Sequence, residues 1–317
     1  MFEGKTLGIV IPCYNEQELI GQVLETMPSF VDRMFVINDC STDKTKEKIL
    51  KYVEKDPRIL LIDHDANRGL GQSLIDGYKS AIKENIDVIA VMAGDAQMSP
   101  NDLPAVVGPV ARGEVDYTKG NRLLRKDVVG RMPRYRYYGN AVLTMLSKFA
   151  TGYWKLIDPQ SGYTAISLRA LKEIPIDTMI KGYGYNAHLL HMLNLSNYKV
   201  RDVEIEPIYG REVSSIKLAS YIRSVSWLLV KLFTRRLMYK YLIREFHPLV
   251  FFYAFGMLNG LLSLVLALRF LLLYFTQGET PHTTLILLSL TANMASLNIF
   301  FGIWMDMEDN RSLSPND

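Results

Sequence analysis

Two stretches without a charged residue, 249–268 and 283–305, constrain this chain more than anything else in it. The first is twenty residues long, and its apolar run continues past Arg269 to Phe275. A helix needs about 20 apolar residues to cross the roughly 30 Å hydrocarbon core of a bilayer. Each run is long enough, although buried core helices would show the same composition. The connector at 276–282 has no Lys or Arg, whereas the flank before the first run is basic. It carries Lys217, Arg223, Lys231, Arg235, Arg236, Lys240 and Arg244 against the single acid Glu245. The positive-inside rule then places residues 1–247 in the cytoplasm and returns the tail to the same side through a hairpin. The N-terminus lacks the long apolar core of a signal peptide, which agrees with that orientation.

Of 317 residues, the first 216 carry 27 basic and 27 acidic side chains. Such a balanced region argues against nucleic acid as the main partner, because that binding needs a phosphate-neutralising surface. Cys13 and Cys40 fit no metal-ligand spacing and suit a reducing compartment.

Residues 1–120 alternate short apolar runs with amphipathic ones. Strands are expected at 7–11, 33–37, 59–62 and 88–92, and helices at 17–27, 43–54 and 69–84. Strands alternating with helical patterns predict an α/β fold with a parallel sheet. Ligands in such sheets bind at the carboxyl ends of the strands. Further on, helices are expected at 137–150 and 185–195 and a strand at 199–205. Residues 214–246 read as a basic amphipathic segment on the membrane surface. In that reading Trp227, Leu228, Leu229, Leu232 and Phe233 dip into lipid, while Lys231, Arg235 and Arg236 face anionic headgroups. A helix packed on its own domain is the alternative. Gly256 and Gly260 form a G-x-x-x-G that could be a helix-packing face. The expected organisation is a catalytic domain at 1–213, juxtamembrane helices at 214–247, two spans within 248–306 and a tail at 307–317.

Four motifs fall at the expected strand ends. Gly94-Asp95-Ala96-Gln97 follows the fourth strand. Mg²⁺ and Mn²⁺ take oxygen ligands, commonly one or two carboxylates plus substrate phosphates, so Asp95 and Gln97 are candidate ligands. Pro12-Cys13-Tyr14-Asn15-Glu16 follows the first strand, where Pro12 is expected to stop the ladder and Asn15 and Glu16 to open a helix. Asn38-Asp39-Cys40-Ser41-Thr42-Asp43-Lys44-Thr45 follows the second. Asp39 is placed to accept bonds from a base or ribose, and Ser41, Thr42 and Asp43 suit a helix cap. Asn67-Arg68-Gly69-Leu70-Gly71 precedes a helix, and its glycines would let a diphosphate approach the helix N-terminus.

The order P-x-Y-N-E, N-D-x-S-T-D-x-T, N-x-G-x-G and D-x-Q resembles family 2 glycosyltransferases of the GT-A fold. Within them the chain looks like the polyprenyl-phosphate glycosyltransferases, the dolichyl-phosphate mannose synthase group. The resemblance covers about residues 5–217 and implies a Rossmann-like nucleotide-sugar domain. By position, Pro12, Tyr14, Glu16, Asp39, Gly69, Gly71 and Asp95 would bind the donor, and Asp95 and Gln97 would hold Mg²⁺ or Mn²⁺. The usual D-A-D-x-Q has lost its first Asp, here Ala93, so one ligand is missing. Lys119-Gly120-Asn121-Arg122 matches the family's G-S-R segment. Arg122, Arg131 and Arg134, with Ser215 and Lys217, would serve the acceptor phosphate. Asp158 resembles the family's D-x-x-S-G-[FY] acid, facing the sugar or acting as base. Arg211 and Lys217 keep the spacing of the family's R-x-x-G-x-S-K stretch. The implied catalytic set is Asp95, Asp158, Arg122 and Arg211.

The resemblance implies an inverting single displacement of a hexose from a UDP- or GDP-sugar to a polyprenyl phosphate. Residues 182–188 lack the carboxylate that relatives carry there, and His188 stands nearby. A hydroxyl acceptor needs a general base, whereas a phosphate monoester is already anionic. Transfer to a hydroxyl of a glycolipid, a non-catalytic membrane scaffold and a lipid-recruiting module through 217–245 remain as other readings. The spans could also support self-association into a homo-oligomer.

Overall fold

The seven residues of β1 (Leu7–Cys13) are all buried, because this strand lies inside a sheet covered on both faces. The computed structural model describes residues 1–122, 134–158, 161–182, 184–206, 218–278 and 280–315, with only the backbone at 134–141, 218–222 and 277. After β1 come α1 (Ile20–Glu25), β2 (Arg33–Asn38), α2 (Thr45–Val53), β3 (Ile59–Asp63), α3 (Leu70–Lys83) and β4 (Val88–Val91). Then follow α4 (Leu103–Ala111), β5 (Tyr117–Asn121), α5 (Arg134–Thr151), β6 (Thr164–Ser167), α6 (Leu168–Glu173), α7 (Tyr185–Leu195) and β7 (Val200–Glu204). The helices α8 (Leu218–Arg236), α9 (Leu249–Gln277) and α10 (His282–Asp309) complete the order.

The sheet runs β3-β2-β1-β4-β6-β5-β7. Its β3, β2, β1 and β4 are mutually parallel, and β6 is antiparallel to both β4 and β5. Side chains alternate across it. Ile9 and Ile11 join Leu24, Ile49 and Val106 on one face, while Val10 joins Leu74, Tyr78 and Ile89 on the other. Near-continuous apolar strands are what a sheet covered on both faces requires. Gly77 lets α3 lie close on the sheet, since a Cβ there would stand 2.4 Å from Val10 Cγ1.

The expected strands and α2, α3 and α7 lie where the periodicity put them, within one or two residues. Three local expectations are corrected. Pro12 does not end the ladder: it lies within β1, paired with Ile37. Asn15 and Glu16 do not open a helix, because α1 begins only at Ile20 and Asn15 takes φ 58°. The α8 apolar face turns inward. Leu229 and Leu232 are buried with Leu143 and Ala187, and Phe233 meets Phe149 edge-on at 6.1 Å. Of the predicted lipid-facing residues, Trp227 remains 73% exposed. The α4 helix, unforeseen, is apolar on every side and carries Pro109, so it offers no amphipathic period.

The chain divides into two units, Met1–Phe233 with Ser312–Asp317, and Thr234–Arg311. In the second, α9 and α10 are each long and apolar enough to cross a membrane. The G-x-x-x-G is a packing face within this hairpin: a Cβ on Gly256 would stand 2.7 Å from Ile299 Cγ1, and Ser263 Oγ donates to Thr291 Oγ1 at 2.9 Å. Arg236 does not face headgroups. A π-helical stretch, Leu237–Arg244, gathers Arg236, Lys240 and Tyr241 on one side. The Arg236 guanidinium grips both Asp306 oxygens at 2.6 Å, with both side chains fully buried. Tyr241 also donates to Asp306 at 2.8 Å.

Breaking a buried ion pair leaves an uncompensated charge, whereas replacing both partners with apolar groups is often neutral. Arg236→Met is therefore expected to cost about 3 kcal/mol or more, and Arg236→Met/Asp306→Leu to recover most of it. Thermal unfolding of the purified protein in detergent measures both.

Candidate active site

Backbone N–H groups leaving the carboxyl edge of a parallel sheet have no ladder partner and must find one elsewhere. Here the loop after β2 satisfies the loop after β1. Asn15 N donates to Ser41 Oγ at 3.0 Å, Glu16 N to Thr45 Oγ1 at 2.8 Å and Gln17 N to Asp43 Oδ2 at 3.1 Å. In return Thr42 N donates to Asn15 Oδ1 at 2.8 Å. Ser41 and Thr42 thus staple the neighbouring loop instead of capping α2. Tyr14 remains 47% exposed above it. Asn15, Cys40 and Ala96, one after each of β1, β2 and β4, take positive φ values of 54–58°. Such backbone strain in non-glycine residues gathers at functional sites.

Asp39 is buried and accepts from Arg68 N and Gly69 N at 2.8 Å each. It also meets His64 Nδ1 at 2.7 Å, and His64 Nε2 faces Asp76 at 3.1 Å. The space that Gly69 and Gly71 leave is filled by protein and not held open. A Cβ on Gly69 would stand 2.9 Å from Lys181 O, one on Gly71 would stand 2.1 Å from Ile180 O, and Gly71 N donates to Lys181 O at 2.8 Å.

Asp95 is half-buried just beyond β4 and accepts Gln97 N at 3.0 Å. Gly94 presses this loop against β1, because a Cβ there would meet Cys13 Sγ at 2.7 Å. Burial raises the Asp95 carboxyl from its ordinary value, so a cation beside it would favour the charged form. Among the described residues no three His, Cys, Asp or Glu side chains form a metal cluster. Asp95 and Gln97 therefore fit a divalent ion that takes its remaining oxygens from substrate phosphate and water. Burial, with Glu16 and Asp95 close by, pushes the Cys13 thiol up and leaves it inert.

A second polar cluster lies where β5 and β7 end. Arg122 Nε pairs with the buried Asp158 at 3.2 Å. Beneath them Lys119 is fully buried and donates to Ser161 O. Asn121 Nδ2 donates to Asp202 at 2.7 Å, and Ile157 N to the same oxygen at 2.8 Å. Burial pulls the Lys119 ammonium down to about 8, against the charges of Asp158 and Asp202. Burial likewise pushes the Asp202 carboxyl up to about 6. His188 Nδ1 accepts Ile180 N at 3.2 Å, which holds the loop over Gly71. Arg131, Arg211, Ser215 and Lys217 lie outside the described residues, as does the side chain of Arg134. His64, Lys119 and Asp202 escaped the sequence reading. Only Lys119 left a local trace, as the first residue of the Lys119-Gly120-Asn121-Arg122 motif.

With burial raising the Asp202 carboxyl from 3.8 to about 6, the fold loses stability through it as pH rises across that interval. Lys119→Met removes the buried cation between two carboxylates and is expected to cost about 3 kcal/mol at neutral pH. The cost should shrink below pH 6, where Asp202 takes up a proton. Urea unfolding at pH 5 and pH 7.5 checks the sign.

The model of the family described as glycosyl transferase family 2 matches residues 8–175. The UDP-N-acetylglucosamine–dolichyl-phosphate N-acetylglucosaminyltransferase of Methanococcus voltae is 27% identical over 219 residues, 65% of this chain and 86% of that one. The undecaprenyl-phosphate mannosyltransferase of Micrococcus luteus is 24% identical over 218 residues, 67% of this chain and 87% of that one. The crystal structure of glucosyl-3-phosphoglycerate synthase from Mycobacterium tuberculosis with Mn²⁺ and UDP shares the fold. Its TM-score is 0.56 at 20% identity, over 73% of this chain and 81% of that one. A GT-A-like sheet, its strand-end loops and a family match across more than half its length make this chain a member of glycosyl transferase family 2.

Proposed function

We propose that the protein transfers a hexose, with inversion, from a nucleotide diphosphate sugar to a membrane polyprenyl phosphate at the cytoplasmic face. The observation that carries the acceptor class is that both candidate bases are engaged. His188 Nδ1 already accepts a backbone N–H, and Asp158 is paired with Arg122 and faces buried Lys119. A hydroxyl would need one of them free to take its proton. A phosphate is anionic before it arrives and needs only to be held in line with C1 of the sugar. Relatives that act on dolichyl and undecaprenyl phosphate support the same reading, as do the two helices of membrane length.

In this reading Pro12, Tyr14, Glu16 and Asp39 seat the nucleotide at the ends of β1 and β2. A divalent ion at Asp95 and Gln97 supplies neutralisation of the leaving diphosphate. Arg122 orients the acceptor phosphate, and its bond to Asp158 fixes the plane of its fork. Arg131, Arg134, Arg211, Ser215 and Lys217 add contacts to the two phosphates. The exposed Lys231 and Arg235 and the hairpin hold the protein where a lipid phosphate resides.

Purified protein in detergent, given radiolabelled UDP- or GDP-sugars with Mg²⁺ or Mn²⁺, is expected to label polyprenyl phosphate and not the dephosphorylated alcohol. Equal transfer to the alcohol, or transfer only to a glycolipid, overturns the acceptor. Asp95→Asn is expected to lower kcat by about 100-fold or more. Ala93→Asp should lower the Mn²⁺ concentration that gives half-maximal rate.

A further inference from the structure

A carboxylate offers about four acceptor positions, two on each oxygen. On Asp39 three are taken. Oδ1 accepts Arg68 N at 2.8 Å and faces His64 Nδ1 at 2.7 Å, and Oδ2 accepts Gly69 N at 2.8 Å. The His64 ring is held from its other side by Asp76 at 3.1 Å, and Asp76 in turn takes Gln72 Nε2 at 3.1 Å. Both ring contacts are hydrogen bonds when the imidazole carries both protons. His64 is buried, with 3% of its side chain exposed, so water does not compete for its Nδ1 proton.

The nucleobases differ in what they ask of such a carboxylate. The pairing edge of guanine presents two donors side by side, its ring N–H and its amino group, and a carboxylate reads both by using one oxygen for each. Uracil presents one imide N–H between two carbonyls. With Oδ1 saturated, Asp39 can take a single donor, on Oδ2. We infer that His64 is a positioning residue that sets base selectivity through Asp39, and that the donor is a uridine diphosphate sugar. This rests on the proposed transfer from a nucleotide sugar and names its base. A guanine bound here would leave one of its two donors without an acceptor, and an unpaired buried donor costs more than a hydrogen bond contributes.

The test is calorimetric binding of UDP and GDP, with Mg²⁺, to the full-length protein in detergent. The wild type is expected to bind UDP more tightly by roughly tenfold or more, the value of one such hydrogen bond. His64→Ala returns one position on Oδ1, and the UDP-to-GDP ratio should fall about fivefold or more. A merely structural loss would weaken both nucleotides and leave the ratio alone. His64→Gln, whose side-chain amide can donate to Oδ1, should restore the ratio. GDP bound as tightly as UDP by the wild type, or a ratio unchanged in His64→Ala, overturns the inference and leaves the transferase reading standing. Binding of neither nucleotide would overturn the donor reading itself and this inference with it.

Discussion

Where parallel strands end, three loops must leave the sheet together, and their N–H groups have to be satisfied before any ligand arrives. In this chain one buried carboxylate and one hydroxyl-rich loop meet that demand. Asp39 holds residues 68 and 69, while Ser41, Asp43 and Thr45 hold residues 15–17. Each bond is worth about 1 kcal/mol net, but leaving such a buried donor unmade costs about 1–3 kcal/mol. The arrangement is therefore worth more for what it prevents than for what it adds. It lets strained residues such as Asn15 and Cys40 persist at the carboxyl ends of the strands.

The interior under Arg122 is charged where most α/β interiors are apolar. Lys119 and Asp158 are buried beside the half-buried Asp202, with Arg122 at the rim. Buried ions favour only a few arrangements, because each one left unpaired is costly. Such a platform orients a guanidinium well and supplies a free base poorly. That is the physical basis for favouring an acceptor that brings its own negative charge. The Arg236–Asp306 pair applies the same rule in the hairpin unit, where a fully buried charge must carry its partner with it.

The strands at 33–38 and 88–91 were legible as apolar runs closed by turn residues, β1 was legible except for its end, where Pro12 reads as a stop but stays in the ladder, and helix 185–195 was legible to the residue. What stayed hidden depends on distant partners. Asn121 and Asp202 are 81 positions apart and His64 and Asp39 are 25, so no local pattern announces either pair. The strand at 164–167 is four residues long and ends in hydroxyls, too short for its alternation to register. The α8 segment shows a deeper ambiguity. Leu229 and Leu232 would look the same in sequence whether they met lipid or protein, and only the fold shows that they meet α5 and α7. Gly69 and Gly71 suggest in sequence the approach of a diphosphate, whereas in the fold the chain's own backbone at 180–181 lies against them.

In the proposed function, the loops at the ends of β1 and β2 that would hold the nucleotide are built before it binds. Amide hydrogen exchange of the ligand-free protein tests it directly. The N–H groups of Asn15, Glu16, Gln17, Arg68 and Gly69 should exchange roughly 100-fold or more slowly than an open loop. UDP should add little to that protection. Exchange at the rate of a free peptide, becoming slow only when a nucleotide is added, would contradict this and make the loop arrangement a product of binding.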